Sequence, residues 1–171
     1  MKMRFFLLSM LVVLFAGCDK DDDSTTEPEE EPGTVTYSVT YSVNKISDDF
    51  FTFGSFIVTY ADKDGKEQVV ELKKASQLPL SITVEGLDED GKIYFDLTYG
   101  SYIDVELTKE TYTFAREVSY SVKGSNGATG SASLVNNSLT VGKNKVEAYV
   151  KKMVDEDTTQ DTTIKDLMKK E

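Results

Sequence analysis

Three groups of carboxylates have the type and spacing to do chemistry: Asp48-Asp49, Asp88-Glu89-Asp90, and Asp104 with Glu106 two places on. A pair of carboxyl groups flanking a glycosidic bond can share the roles of acid and nucleophile. Asp104 and Glu106, however, alternate with apolar neighbours, and the outer side of a strand accounts for two solvated acids. The chain has no histidine. That removes the usual proton shuttle, the Ser-His-Asp arrangement and the imidazole ligands of zinc. "DKDG" at 62–65 and "DEDG" at 88–91 begin like calcium loops, but an EF-hand loop needs a Glu at its twelfth position. Here those positions hold Lys73 and Tyr99. Hairpin turns explain both stretches. The sequence therefore predicts no catalytic residues, no metal ligands, no cofactor and no enzymatic activity.

The remaining candidates are aromatic. "YFDLTYGSY" (94–102) concentrates three tyrosines. Tyr99 shares the phase of Ile93 and Leu97 and belongs to a core. Tyr94 and Tyr102 have the opposite phase and are the candidate ligand contacts, because an exposed tyrosine can stack on a sugar or anchor a protein interface.

The lone cysteine, Cys18, closes "MKMRFFLLSMLVVLFAGC". Lys2 and Arg4 open this stretch, an uncharged and largely apolar run follows from Phe5 to Phe15, and small residues Ala16 and Gly17 precede the thiol. This is the layout of a secretory signal, and the run is short for a membrane span. "LFAGC" resembles the lipobox of bacterial lipoproteins, with Phe15 where leucine is most common. The resemblance implies cleavage after residue 17 and an acylated Cys18 as the new first residue, holding the protein to a membrane. "DKDDD" after the cysteine is similar to the surface-export signal of Bacteroidota lipoproteins, with Lys20, Asp21, Asp22 and Asp23 at the matching places. The similarity implies an outer-membrane, cell-surface location.

Charge is unevenly distributed. The chain carries -11 in all, yet residues 18–32 hold eight acids against one lysine. That acidic stretch, with Pro28 and Pro32, favours an extended tether over 18–33. An acidic chain without a basic stripe repels phosphate backbones, which excludes nucleic acid as a partner. One cysteine allows no internal disulfide.

The elements that must position these residues follow Gly33, where the period becomes two. In "TVTYSVTYSV" Val35, Tyr37, Val39, Tyr41 and Val43 share one face, and Thr and Ser the other. Alternation recurs at Phe56–Tyr60, Leu80–Val84, Ile93–Tyr99, Ile103–Leu107, Tyr112–Phe114 and Val118–Val122. Phe51 and Phe53 fall out of phase with Phe56, which predicts a bulge or bend at Gly54-Ser55. "ADKDGKE" and "DEDGKI" read as hairpin turns, and "GSNGATG" and "VNNS" as further turns. Seven or eight short strands over 34–142 predict a mainly β protein, an antiparallel, immunoglobulin-like β-sandwich. Over 143–171 the reading is a helical segment and tail. Val146, Tyr149, Val150, Met153 and Val154 share one helical face, with Asn144 as cap. A strand using Val146, Ala148 and Val150 is the alternative. "DEDTTQDTT" (155–163) reads as a polar break, and Ile164, Leu167 and Met168 as a short final turn. The functional expectation is a non-catalytic binding domain on a lipid-anchored tether, for a glycan or another envelope protein. The alternative is an assembly accessory of an envelope complex with no soluble ligand.

Overall fold

The computed structural model describes residues 33–100, 102–156 and 158–169. The leader, Cys18 and the run of Lys20, Asp21, Asp22 and Asp23 lie outside the described residues. A compact unit begins at Thr34.

Two four-stranded antiparallel sheets form the β-sandwich. The first is built from β1 (Tyr37–Ile46), β4 (Leu80–Leu87), β6 (Thr111–Gly124) and β7 (Thr129–Gly142), in the order β4-β1-β6-β7. The second contains β2 (Phe56–Ala61), β3 (Glu67–Leu72), β5 (Lys92–Tyr99) and β8 (Thr158–Thr163), in the order β3-β2-β5-β8. Between them in sequence lie α1 (Asp48–Phe53) and α2 (Lys143–Val154), and α3 (Ile164–Met168) ends the described chain. The chain changes sheet at most of its connections, as immunoglobulin-like sandwiches do.

The alternation in β1 sets the register on both sides. Val39 faces Val84 of β4 and Val122 of β6, and Tyr41 faces Ile82 and Tyr120. These rows point into the core, where Val39, Tyr41 and Val43 are buried. Ser38, Thr40 and Ser42 join Thr83 and Ser121 on the outer face, where the Thr40 and Thr83 hydroxyls are 3.0 Å apart. The second sheet answers with Phe56, Val58, Ile93, Phe95, Leu97 and Tyr99, all buried. Burying each such side chain contributes about 1.5–3 kcal/mol.

Several elements differ from the expectation. Asp48–Phe53 is a helix, which is why Phe51 and Phe53 are out of phase with Phe56, and the break expected at Gly54-Ser55 is the junction between α1 and β2. Phe50 and Phe53 turn to the core from it. Ser47 and Asp49 fasten it to β6: the Ser47 hydroxyl donates to the Thr113 carbonyl at 2.6 Å and accepts from the Ala115 N–H at 3.0 Å. The alternation at Ile103, Val105 and Leu107 produces no strand. This segment lies in the connection from β5 to β6, with Ile103 N–H bonded to the Phe53 carbonyl. "VNNS" is the middle of β7, because the long partner β6 supplies a continuous ladder that overrides the local turn preference. The turn at 88–91 joins strands of different sheets and is no hairpin. The turns at 62–66 and 124–128 do close hairpins, with Gly65 and Gly127 at positive φ. α2 forms with Val146, Val150 and Met153 buried, but its N-cap is Gly142 rather than Asn144. Thr158–Thr163 is an edge strand with almost no apolar content, recruited by the exposed backbone of β5.

Candidate functional site

The end at which β1 starts is the base of the sandwich, and the end carrying α1 and the β5–β6 connection is its tip. Large apolar residues surface in few places. Val69 is 65% exposed, Ile103 55%, Leu139 49% and Ile57 37%. Ile57 and Val69 lie on the outer face of the second sheet, and Ile103 lies at the tip in the β5–β6 connection. Ile57 stands opposite Glu71, and Val69 opposite Thr59 one step along β3. Phe51, Ser55, Glu71, Lys73 and Ile103 line a shallow depression of about 310 Å³.

Local sequence explains the exposure. "FIV" in β2 and "VV" in β3 each place two apolar residues side by side in a strand, so one of each must face outward. Gly100 crosses Ser55 closely: its N–H bonds the Ser55 carbonyl at 2.7 Å, and an added Cβ would stand 3.1 Å from that oxygen. This contact turns the chain after β5 so that Tyr102 and Ile103 pass over α1. The polar rim is organised by Glu71, which pairs with Lys73 at 2.9 Å and accepts from the Ser55 hydroxyl at 3.3 Å. The hydrogen bond from the Lys73 ammonium, chiefly, holds the Glu71 carboxyl below its ordinary value. The result is an aliphatic patch with a fixed acid–base pair at its edge, suited to bury a partner's apolar side chains while matching a few polar groups.

The two tyrosines of the sequence analysis lie on different surfaces. Tyr94 projects from the outer face of β5, with the Lys92 ammonium 4.6 Å from its ring centroid. Tyr102 stacks on Phe53, carries Lys151 at 5.3 Å on its ring, and directs its hydroxyl to Asp104 at 3.4 Å. Burial, with the Asp104 charge second, raises the Tyr102 pKa. Neither ring offers two open faces. Of the patch residues, Ile57 and Val69 carry no signal in the alternation of the sequence, while Phe51 is legible only as out of phase with Phe56 and Ile103 only as part of an alternating run. The apolar doublets were the available signal.

The acids have structural duties. Asp62 accepts from the N–H groups of Asp64 and Lys66 and from Gln68, which keeps its carboxyl ionised to lower pH. Asp88 accepts from the Asp90 N–H. Asp49 is buried, taking the Lys109 ammonium and the Thr113 N–H, each at 2.5 Å. Among the described residues no group of three or more His, Cys, Asp or Glu is arranged to hold a metal ion. Arg116 is buried beneath α2, its guanidinium 5.8 Å from the Phe50 ring centroid and 4.0 Å from Glu156. Burial lowers its pKa. No protein-family model matches the chain, and no curated protein is similar to it.

Proposed function

We propose that this is a lipid-anchored protein of the outer membrane, exposed at the cell surface, whose β-sandwich binds another envelope protein without catalysing a reaction. The observation that carries the reading is the exposure of Ile57 and Val69 on the outer face of the second sheet, on either side of the Glu71 that lines a depression with Phe51 and the exposed Ile103. Exposed apolar groups rimmed by polar ones mark interaction sites. The cationic caps on Tyr94 and Tyr102 favour a protein over a glycan as the ligand.

A photo-crosslinking residue at Val69 on intact cells tests the binding reading. Crosslinks to one protein species from position 69, and none from Thr83 on the opposite sheet, are expected. Equal yields from both positions would overturn it. The anchor is tested separately: Cys18→Ala is expected to abolish incorporation of an alkyne fatty acid, and replacing Lys20 to Asp23 with alanine to protect the protein from protease added to cells. The alternative of an assembly accessory shares the same patch and differs in requiring a permanent complex that survives purification.

A further inference from the structure

Four strands end the two sheets, and their edges are unlike. β3 carries Glu67 and Glu71, β4 carries Glu85, and β8 carries Asp161. Charged residues and short length are two of the ways sheet edges are kept from pairing with other strands. β7 has neither device. Its fourteen residues, "TGSASLVNNSLTVG", contain no ionisable side chain and no proline. The ladder to β6 shifts register between Val118 and Ser119, which leaves Leu134 as an extra residue on β7. Beyond that bulge, 135–142 runs regularly. Residues 136–140 are exposed, and Leu139 is 49% accessible.

We propose that the free edge of β7 pairs antiparallel with β7 of a second copy, joining two first sheets into one eight-stranded sheet. The composition argues for the chain itself as the occupant. A domain whose net charge is negative repels its own copy wherever acids meet, and β7 is the edge at which no acid meets an acid. A twofold axis at Asn137 is self-complementary. It sets Leu139 opposite Val135 of the second copy, so the exposed leucine gains an apolar cross-strand neighbour. It also sets Asn137 opposite Asn137, and each amide offers both donor and acceptor. Such an interface is isologous and closed, so it stops at a dimer. Lys145 and Tyr149 of α2, which line a depression of about 420 Å³ with Leu139 and Val141, flank the seam. The inference stands on β7 alone and is independent of the aliphatic patch.

The test uses the chain as it stands after cleavage at residue 17, residues 18–171 with Cys18→Ser, kept in solution without detergent, and reads mass by light scattering. A mass of two chains is expected. Asn137→Asp and Asn137→Lys each place like charges across the axis and are expected to weaken association about tenfold or more. An equal mixture of the two variants is expected to restore the dimer, which also shows that both have folded. A single-chain mass for the parent at all concentrations, an unchanged dimer in Asn137→Asp, or no recovery in the mixture of variants with parental melting midpoints would overturn it.

Discussion

At the base of the sandwich the outermost core layer is aliphatic: Val84, Val39 and Val122 form one cross-strand row, with Leu87, Ile93 and Ile164 beside it, and the rings of Tyr41, Tyr60 and Phe95 follow one step inward. At the tip it is aromatic. Phe50 lies 5.2 Å from Phe56, 5.5 Å from Tyr99 and 4.8 Å from Phe114, and Phe53 lies 5.4 Å from Tyr112. Two sheets facing each other leave a layer about 10 Å thick, which interdigitating aliphatic side chains fill. Beyond Tyr99 the second sheet ends while β6 and β7 continue. α1 and α2 take over as the cover, and the rings span the gap to them. The tip is thus where strands are traded for helices and large side chains, and it is also where apolar groups reach the surface.

The sharpest way to break this contrast is Phe50→Ala. Phe50 is fully buried, so the loss is expected to be about 3–5 kcal/mol, seen as a lower denaturant midpoint at unchanged slope. A cost below that of Ile93→Ala at the base would show that the ring cluster adds nothing special. Next comes Met153→Ala, at about 2–5 kcal/mol, because α2 substitutes for a missing sheet over β6 and β7. A midpoint equal to the parent's would mean that α2 is no part of the core.

A pH series separates the two ends in another way. Burial raises the Tyr41 pKa from 10.0 to about 12, and it raises that of Tyr99, whose hydroxyl donates to the Phe50 carbonyl at 2.8 Å. A raised folded-state pKa means that the folded protein holds the proton more tightly. The contribution is therefore complete below pH 10 and is lost as pH climbs toward about 12. Stability is expected to fall across that window, and less steeply in Tyr41→Phe; identical slopes in parent and variant would exclude Tyr41 as a source. The smallest effect is expected for Ile103→Ser, which should leave the unfolding free energy within about 0.5 kcal/mol of the parent while removing the Val69 crosslink. A large destabilisation there would make Ile103 a core residue.

The base was more legible in the sequence than the tip. β1 announces itself because every second residue is Val or Tyr, and nothing but a half-buried strand suits that pattern. α2 is visible for the matching reason at the helical period. β8 has no such mark. "TTQDTT" becomes a strand only because β5 presents an unpaired edge, a fact about the assembled sheet and not about those six residues. The Ile103–Leu107 segment errs in the other direction. It alternates well, but among the described residues it pairs with no strand. The same limit applies to the candidate site. Phase singles out Tyr94 and Tyr102, but phase gives a side of a strand and says nothing of the lysines that cover the rings. The patch at Ile57 and Val69 required knowing that β2 and β3 pair in one particular register.

The order of elements along the chain has a consequence for biosynthesis. α2 and β8 come after every other strand, yet α2 covers Phe114 through Tyr149, ring to ring at 4.8 Å, and β8 completes the second sheet. Domains fold as units while the chain emerges from its N-terminus. A nascent chain that has emerged only as far as residue 142 therefore has β1 to β7 in hand and an open wall of rings at its tip. Closure waits for the last thirty or so residues. A premature stop in that stretch would release a sticky, incomplete sandwich, which is the kind of species that cellular proteases and chaperones exist to intercept.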